Sequence, residues 1–386
     1  MRKSIAAVFG LAALTSLSSL SPAGITSHVI AAEATPAYGA APDWLKLPEG
    51  RTEIGSMHGT VAVSSANEVY INVEGTVRQR FAVLGPNPGL QVYSADGKYL
   101  RNVPNAPFDL HGFVIQKEAD GEYIYATRLA AALTPADQAR AGLDQQAIIK
   151  MTLEGKIVMA IPPSRIPDQF KNKADDGRPV MRLTSIAVAP NGDIYAADGY
   201  ASDYIHRFDK TGKYIKSFGG KNAPYGFRTM HLLAVDTRFT PARLIACDRA
   251  NSRVVHLSLD GEFLGVVAKD LLAPAAVAVH GDYVAVAELR GRVTLLDKAG
   301  NVVSTLSSNT TADEVGNKRP QSGHSKSENS TIVTGTVAGP RVGYPAVSIS
   351  ARCGACAAAV AIARATGMRK VMAVIIRRVA SAWQTG

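Results

Sequence analysis

The sequence predicts an all-β fold, a β-propeller, from three observations. A turn with glycine at its centre recurs five times, as Ala95-Asp96-Gly97-Lys98-Tyr99-Leu100, Leu153-Glu154-Gly155-Lys156-Ile157-Val158, Lys210-Thr211-Gly212-Lys213-Tyr214-Ile215, Leu259-Asp260-Gly261-Glu262-Phe263-Leu264 and Lys298-Ala299-Gly300-Asn301-Val302-Val303. Asp-Gly and its relatives supply the positive φ that tight hairpins need. Each turn follows an aligned apolar first strand: Thr60-Val61-Ala62-Val63, Phe113-Val114-Ile115, Ile186-Ala187-Val188, Leu233-Ala234-Val235 and Val277-Ala278-Val279. The units are spaced by about 40 to 58 residues, each holds four strands, and the apolar period inside them is two, which fits propeller blades and not a helical solenoid.

The chain divides accordingly. Arg2 and Lys3 precede an apolar stretch, Ile5 to Leu14, and small residues end at Val29-Ile30-Ala31-Ala32. This is the layout of a cleaved signal over residues 1–32. Thr15, Ser16, Ser18 and Ser19 interrupt it well short of the roughly 20 apolar residues that a membrane span needs. An exported protein, periplasmic or extracellular and without a transmembrane segment, is expected. Residues 33–50 read as a linker, 51–319 as the propeller with five recognisable blades ending near Leu306, and 320–386 as an atypical basic tail.

A net charge of +10 with a pI near 9.5 ordinarily suggests a polyanionic partner. Its location removes that suggestion. From Gln321 onward eight basic residues face one acid, Glu328; with these and Arg2 and Lys3 set aside, 32 basic residues stand against 31 acidic ones. No nucleic-acid partner is expected. Cys247 is solitary, and Cys353-Gly354-Ala355-Cys356 lacks the second pair that a zinc site would need, so no function is assigned to the cysteines.

In a propeller the first strand of each blade lines the channel, and the residue just before it sits at the channel mouth. That position holds His58, His111, Thr184, His231 and Ala275. Three of the eight histidines thus share one register, and neutral imidazoles brought onto an axis can meet a metal ion at about 2.0–2.1 Å. The alternative is that each histidine hydrogen-bonds a neighbouring blade. His206, His256 and His280 lie at strand positions away from the mouth and read as structural or exposed.

The third unit, Thr184 to Tyr200 followed by Ile205-His206-Arg207-Phe208, resembles an NHL repeat. Units three and four together resemble peptidyl-α-hydroxyglycine α-amidating lyase, most closely over residues 182 to 268 and less so over 58 to 160. The resemblance implies a six-bladed NHL-type ring whose last blade is missing or corrupted in this chain. It also implies a zinc ion held by three channel histidines, one from every second blade. His111 and His231 match the first two; the third belongs to a Pro-His motif absent here, leaving His58 as a stand-in from a neighbouring blade. Tyr200, in Asp198-Gly199-Tyr200, matches the family's base, and Arg249, in Asp248-Arg249, its arginine. A first-blade arginine has no counterpart in Val69-Tyr70-Ile71-Asn72-Val73-Glu74-Gly75. Bland alternatives are that Tyr200 covers a turn and that Arg249 pairs with Asp198 or Asp248.

The function expected is a zinc-dependent carbon–nitrogen lyase acting as a monomer on a small-molecule or peptide ligand at the channel mouth. The alternative is a non-catalytic propeller that binds protein or carbohydrate. A structural calcium ion in the channel is a further expectation, and a lactonase-like calcium site would have to draw on Glu74 and Asn72. Past Arg319 the repeat stops: Asp is absent, Ser and Thr crowd 322–336, and Ala, Val and Arg dominate 351–380. A basic amphipathic helix and a disordered extension are two readings of this tail. The preferred one is a change of reading frame near Arg319, which translation of the underlying DNA in the other frames would reveal.

Overall fold

Five antiparallel sheets of four strands follow one another along the chain. The computed structural model describes residues 44–47, 49, 60–73, 89–107, 109–129, 146–290 and 292–307, and the backbone of three strands beyond them. His58, Glu74, the signal-like segment 1–32 and most of the tail lie outside the described residues.

The first blade comprises β1 (Val61–Val63), β2 (Val69–Val73), β3 (Gly89–Tyr93) and β4 (Tyr99–Asn102). The second comprises β5 (Leu110–Lys117), β6 (Glu122–Arg128), β7 (Ile148–Thr152) and β8 (Ile157–Ile161). A small hairpin, β9 (Asn172–Lys173) with β10 (Pro179–Val180), interrupts the entry to the third. The third blade holds β11 (Ser185–Val188), β12 (Ile194–Ala197), β13 (Tyr204–Phe208) and β14 (Tyr214–Gly219). The fourth holds β15 (Met230–Asp236), β16 (Arg243–Asp248), β17 (Arg253–Ser258) and β18 (Phe263–Ala268). The fifth holds β19 (Pro274–His280), β20 (Tyr283–Glu288), β21 (Arg292–Leu296) and β22 (Val302–Ser307). A three-stranded sheet, β23 (Val347–Ser350), β24 (Cys356–Arg364) and β25 (Val371–Val379), completes the described chain. Among the described residues no helix is long and apolar enough to cross a membrane.

Every blade is a simple meander, and β1, β5, β11, β15 and β19 are sequential neighbours across the blades. First strands therefore line the axis. The backbone of β25 runs beside β19 and β1, in the sector between the fifth blade and the first.

The core lies between the sheets, and the period of two decides which neighbour each side chain meets. In β12, Ile194 and Ala196 pack with Tyr125, Ile148 and Ile161 of the second blade. Their alternates, Tyr195 and Ala197, pack with Leu244, Ala246 and Leu257 of the fourth. A continuously apolar second strand is the result, buried on both faces.

The recurrent glycine has two reasons. Gly155 adopts φ +87°, and a Cβ there would lie 2.0 Å from the Pro104 carbonyl oxygen of the preceding blade. Gly300 has φ +89°, and its Cβ would lie 2.4 Å from the Val267 oxygen. The turn thus needs both the left-handed backbone and the missing side chain, because it docks against the blade before it.

Two of the off-mouth histidines are structural. His256 Nε2 lies 3.0 Å from Asp236 Oδ2, a carboxylate that also accepts from Arg238. His206 is fully buried with Nδ1 2.8 Å from Ser217 Oγ, and burial, with some repulsion from Lys171, pushes its pKa down to about 3. Between the unfolded value and about 3 only the unfolded chain holds the extra proton. Stability is therefore complete above pH 6.5 and falls as the pH drops through that window, by roughly 1.4 kcal/mol per pH unit for this one group. Urea denaturation at pH 7 and pH 4.5 should show a shallower acid loss for His206→Gln than for the unsubstituted chain; equal losses would remove His206 as a cause.

Candidate functional site

β-bulges prepare the channel mouth in the second, fourth and fifth blades. In the second blade Leu110 pairs with Arg128 and Phe113 with Ala126, so His111 and Gly112 together oppose Thr127. In the fourth, Met230 pairs with Asp248 and Leu233 with Ala246, leaving His231 and Leu232 opposite Cys247. The extra residue, which in the fifth blade is Ala275, turns both histidines out of the pleat and onto the axis. Gly112 allows the third blade to approach: a Cβ there would lie 2.5 Å from Ser185 Cα.

Each imidazole is fixed by the next blade. His111 Nδ1 lies 2.5 Å from the Thr184 carbonyl oxygen, and His231 Nδ1 lies 2.7 Å from that of Ala275. A carbonyl can only accept, so Nδ1 carries the hydrogen in both rings, and the neutral ring keeps its lone pair on Nε2. Thr184 and Ala275, the two mouth positions without a histidine, thus contribute through their backbone. The bland reading of the histidines thus holds at Nδ1.

Tyr200 joins them from the loop after β12. Its hydroxyl donates to His231 Nε2 at 2.8 Å, and Arg249 Nη1 donates to the same tyrosine oxygen at 3.3 Å. The guanidinium carbon of Arg249 stands 5.2 Å from the Tyr200 ring centre. Ring centres are separated by 5.2 Å for His111 and His231, 5.3 Å for His111 and Tyr200, and 5.4 Å for Tyr200 and His231. Four of the five sequence-predicted residues therefore meet at one place, and the fifth, His58, is outside the described residues. Among the described residues no three His, Cys, Asp or Glu side chains gather into a metal cluster.

Arg249 does not pair with Asp248. That carboxylate takes the Arg253 guanidinium and the Asn251 amide at 2.7 Å each and the Arg228 backbone N–H at 2.8 Å. Asp198 accepts the Arg182 backbone N–H at 2.5 Å and the Ser202 hydroxyl at 2.6 Å. Its complete burial pushes the carboxyl up to about 7, against the lowering effect of those hydrogen bonds. Sequence reasoning missed this set of buried acids, although their signal is there: Ala197-Asp198, Cys247-Asp248 and Ala287-Glu288 each end an apolar second strand with a carboxylate.

No protein-family model matches the chain, and no curated protein is similar to it in sequence. Among solved structures, a chain of a nidogen–laminin complex is similar with a TM-score of 0.44 and 16% identity, over 65% of this chain and 80% of that one. A protein of unknown function from Bacteroides caccae gives 0.36 and 12%, over 57% and 69%. The computationally designed Ika8 protein gives 0.35 and 14%, over 64% and 61%.

The loop that carries Tyr200 depends on Gly199, where a Cβ would fall 1.8 Å from the Met230 carbonyl oxygen of the fourth blade. Gly199→Ala must lift the loop and lengthen the Tyr200–His231 hydrogen bond, at a cost of about 1 to 3 kcal/mol. Tyr200→Phe, which removes only the hydroxyl, should cost less than about 1.5 kcal/mol. Urea denaturation of the two variants orders them; the reverse order would contradict this packing.

Proposed function

We propose that the chain is an exported propeller that binds a small hydroxylated or peptide ligand over His111, Tyr200, His231 and Arg249 and cleaves a carbon–nitrogen bond in it, in the manner of the amidating lyases it resembles. The observation that carries this reading is the Tyr200–His231 hydrogen bond with Arg249 on the same phenol oxygen. A guanidinium so placed can stabilise a phenolate at Tyr200, whose proton passes to His231 or, where His231 holds a cation, to solvent.

The residues suit a zinc ion in part. Two imidazoles on one tetrahedral ion have ring centres roughly 5 Å apart, close to the 5.2 Å between His111 and His231. Their Nδ1–carbonyl hydrogen bonds are the usual outer support of a ligating histidine. His111 and His231 would hold the ion, with His58 as third donor, and when bound it would polarise the substrate hydroxyl oxygen as a Lewis acid. The His231 lone pair serves either Tyr200 or a cation, so occupation of Nε2 frees the tyrosine oxygen for substrate.

On a carbinolamide substrate Tyr200, as phenolate, takes the hydroxyl proton. The electron pair left on oxygen forms the new carbonyl bond, the carbon–nitrogen bond breaks, and the departing amide nitrogen takes the proton back from Tyr200. With a peptidyl α-hydroxyglycine the products are the peptide amide and glyoxylate. The mouth also suits a negatively charged substrate. Loops 162–184, 198–203, 220–229, 249–252, 269–273 and 289–291, at the mouth end of blades three to five, hold ten basic and six acidic residues. The loops at the opposite end, 189–193, 209–213, 237–242, 259–262, 281–282 and 297–301, hold four basic and six acidic ones.

The second reading, a propeller that binds without turnover, is favoured by the hydrogen bonds of both imidazoles to carbonyls of the next blade, which give His111 and His231 a structural role of their own. Metal analysis and a glyoxylate assay with a peptidyl α-hydroxyglycine separate the two. The lyase reading expects about one zinc per chain, lost in His111→Ala and His231→Ala, and glyoxylate release lowered at least about 100-fold in Tyr200→Phe. Binding of the peptide with no glyoxylate and no zinc would leave the non-catalytic propeller.

A further inference from the structure

At the mouth end of the second strand the second blade carries Arg128, and the third, fourth and fifth blades carry the buried carboxylates Asp198, Asp248 and Glu288. In the second, fourth and fifth blades a carboxylate and a guanidinium are paired there. Arg128 holds Asp109 in the second blade with Nε 2.9 Å from Oδ1. In the fourth, Asp248 pairs in register with Arg253, whose Nε lies 2.7 Å away. In the fifth, Glu288 pairs with Arg292, whose Nη2 lies 2.7 Å away.

The third blade departs from this. Ala197 pairs with Ile205, and the Asp198 backbone N–H donates to the Tyr204 carbonyl, so the residue standing where Arg253 and Arg292 stand is Tyr204. Among the described residues no Lys, Arg or His nitrogen is paired with the Asp198 carboxylate; its partners are the Arg182 backbone N–H and the Ser202 N–H and hydroxyl. Of the charged groups around it, Asp203 on the same loop adds like charge. Lys221, from the loop before β15, reaches Asp203 only at 3.9 Å. Asp248 lies beyond Asp203 and is already neutralised by Arg253. Arg182 lends its backbone while its side chain is exposed. A buried anion without a cation is the costly member of such a series.

Asp198 is also the root of the loop that presents Tyr200. Its backbone carbonyl accepts the N–H groups of Ala201 and Asp203, its side chain accepts Ser202, and Tyr200 N–H reaches back to the Arg182 carbonyl at 3.3 Å. The same carboxylate thus binds both segments that seat Tyr200.

We propose that Asp198 is a positioning residue that makes the seat of Tyr200 proton-dependent: with the carboxyl protonated the loop 198–203 is closed and Tyr200 rests on His231, and with it ionised the uncompensated charge draws in water and releases Tyr200. The neutral acid still accepts at one oxygen from Arg182 N–H and can donate from the other to Ser202 Oγ, so closure needs no counter-ion. Ionisation leaves a buried net charge that three hydrogen-bond donors share and no cation balances.

The readout is the Tyr200 ring itself, which keeps the inference separate from any question of turnover. In the full chain labelled with 13C-tyrosine, the Tyr200 signal, assigned with Tyr200→Phe, should move through a transition centred near pH 7. Asp198→Asn should abolish that transition. Tyr204→Arg, which restores the guanidinium of the other blades, should move the midpoint to lower pH by roughly one to three pH units. Circular dichroism establishes that each variant is folded. An unchanged midpoint in either folded variant, or no transition between pH 5 and 9 in the unsubstituted chain, overturns the proposal.

Discussion

The structure depends on how the polar groups of the innermost strands are satisfied where blades meet at the axis. Water is excluded there, and a buried carbonyl without a donor costs about as much as a lost hydrogen bond. The chain answers with one repeated device, a side-chain donor handed to a mouth carbonyl of the following blade. Asn72 Nδ2 donates to Leu110 O at 2.7 Å and Thr60 Oγ1 to His111 O at 3.3 Å. His111 Nδ1 serves Thr184 O, Thr184 Oγ1 serves Met230 O at 3.0 Å, and His231 Nδ1 serves Ala275 O. Histidine and threonine alternate from the second blade to the fourth, and the choice matters. Threonine spends its hydroxyl in this link, whereas histidine satisfies the carbonyl with one nitrogen and turns the other toward the axis. The structural and the chemical roles of these histidines are two ends of one ring.

Much of this was legible in the sequence, for identifiable reasons. A turn glycine that needs both positive φ and bare space, as Gly155 and Gly300 do, leaves a mark that composition cannot blur. A strand buried on both faces leaves an apolar run like Ile194-Tyr195-Ala196-Ala197. Those two signals located the blades, and counting back from the first strands located His111 and His231. What stayed hidden acts through the backbone or through pairing across blades. Nothing in the letters Thr184 or Ala275 announces that their carbonyls orient imidazoles, and the partner of Arg249 is a phenol 49 positions away, whereas its sequence neighbour Asp248 belongs to Arg253.

Charge offers a second case. The segment between the termini is nearly neutral in sum, and from that sum no basic face is expected. Antiparallel meanders, however, deliver alternate loops to opposite ends of the propeller. In blades three to five the mouth end carries ten basic and six acidic residues, while the far end carries four and six. Net charge cannot reveal such a polarity because it is a property of topology. Its consequence is that positive charge is concentrated at the mouth end of these blades although the segment as a whole is nearly neutral, which is a local effect and no sign of a polyanionic partner.

The third blade is where the repeat is least regular. It lies between the two histidine-bearing blades and replaces the buried ion pair of its neighbours with a lone carboxylate. It also runs its second-to-third strand loop through Gly199 into van der Waals contact with Met230 of the next blade. Each departure costs stability that the other blades keep: a buried carboxyl without a cation in one case, an intolerance of any side chain in the other. Both fall within two residues of Tyr200, the group that meets both His231 and Arg249. A fold built from near-identical units can relax one of them because the remaining blades supply the cohesion, and here the relaxed unit is the one that carries the hydroxyl to the axis.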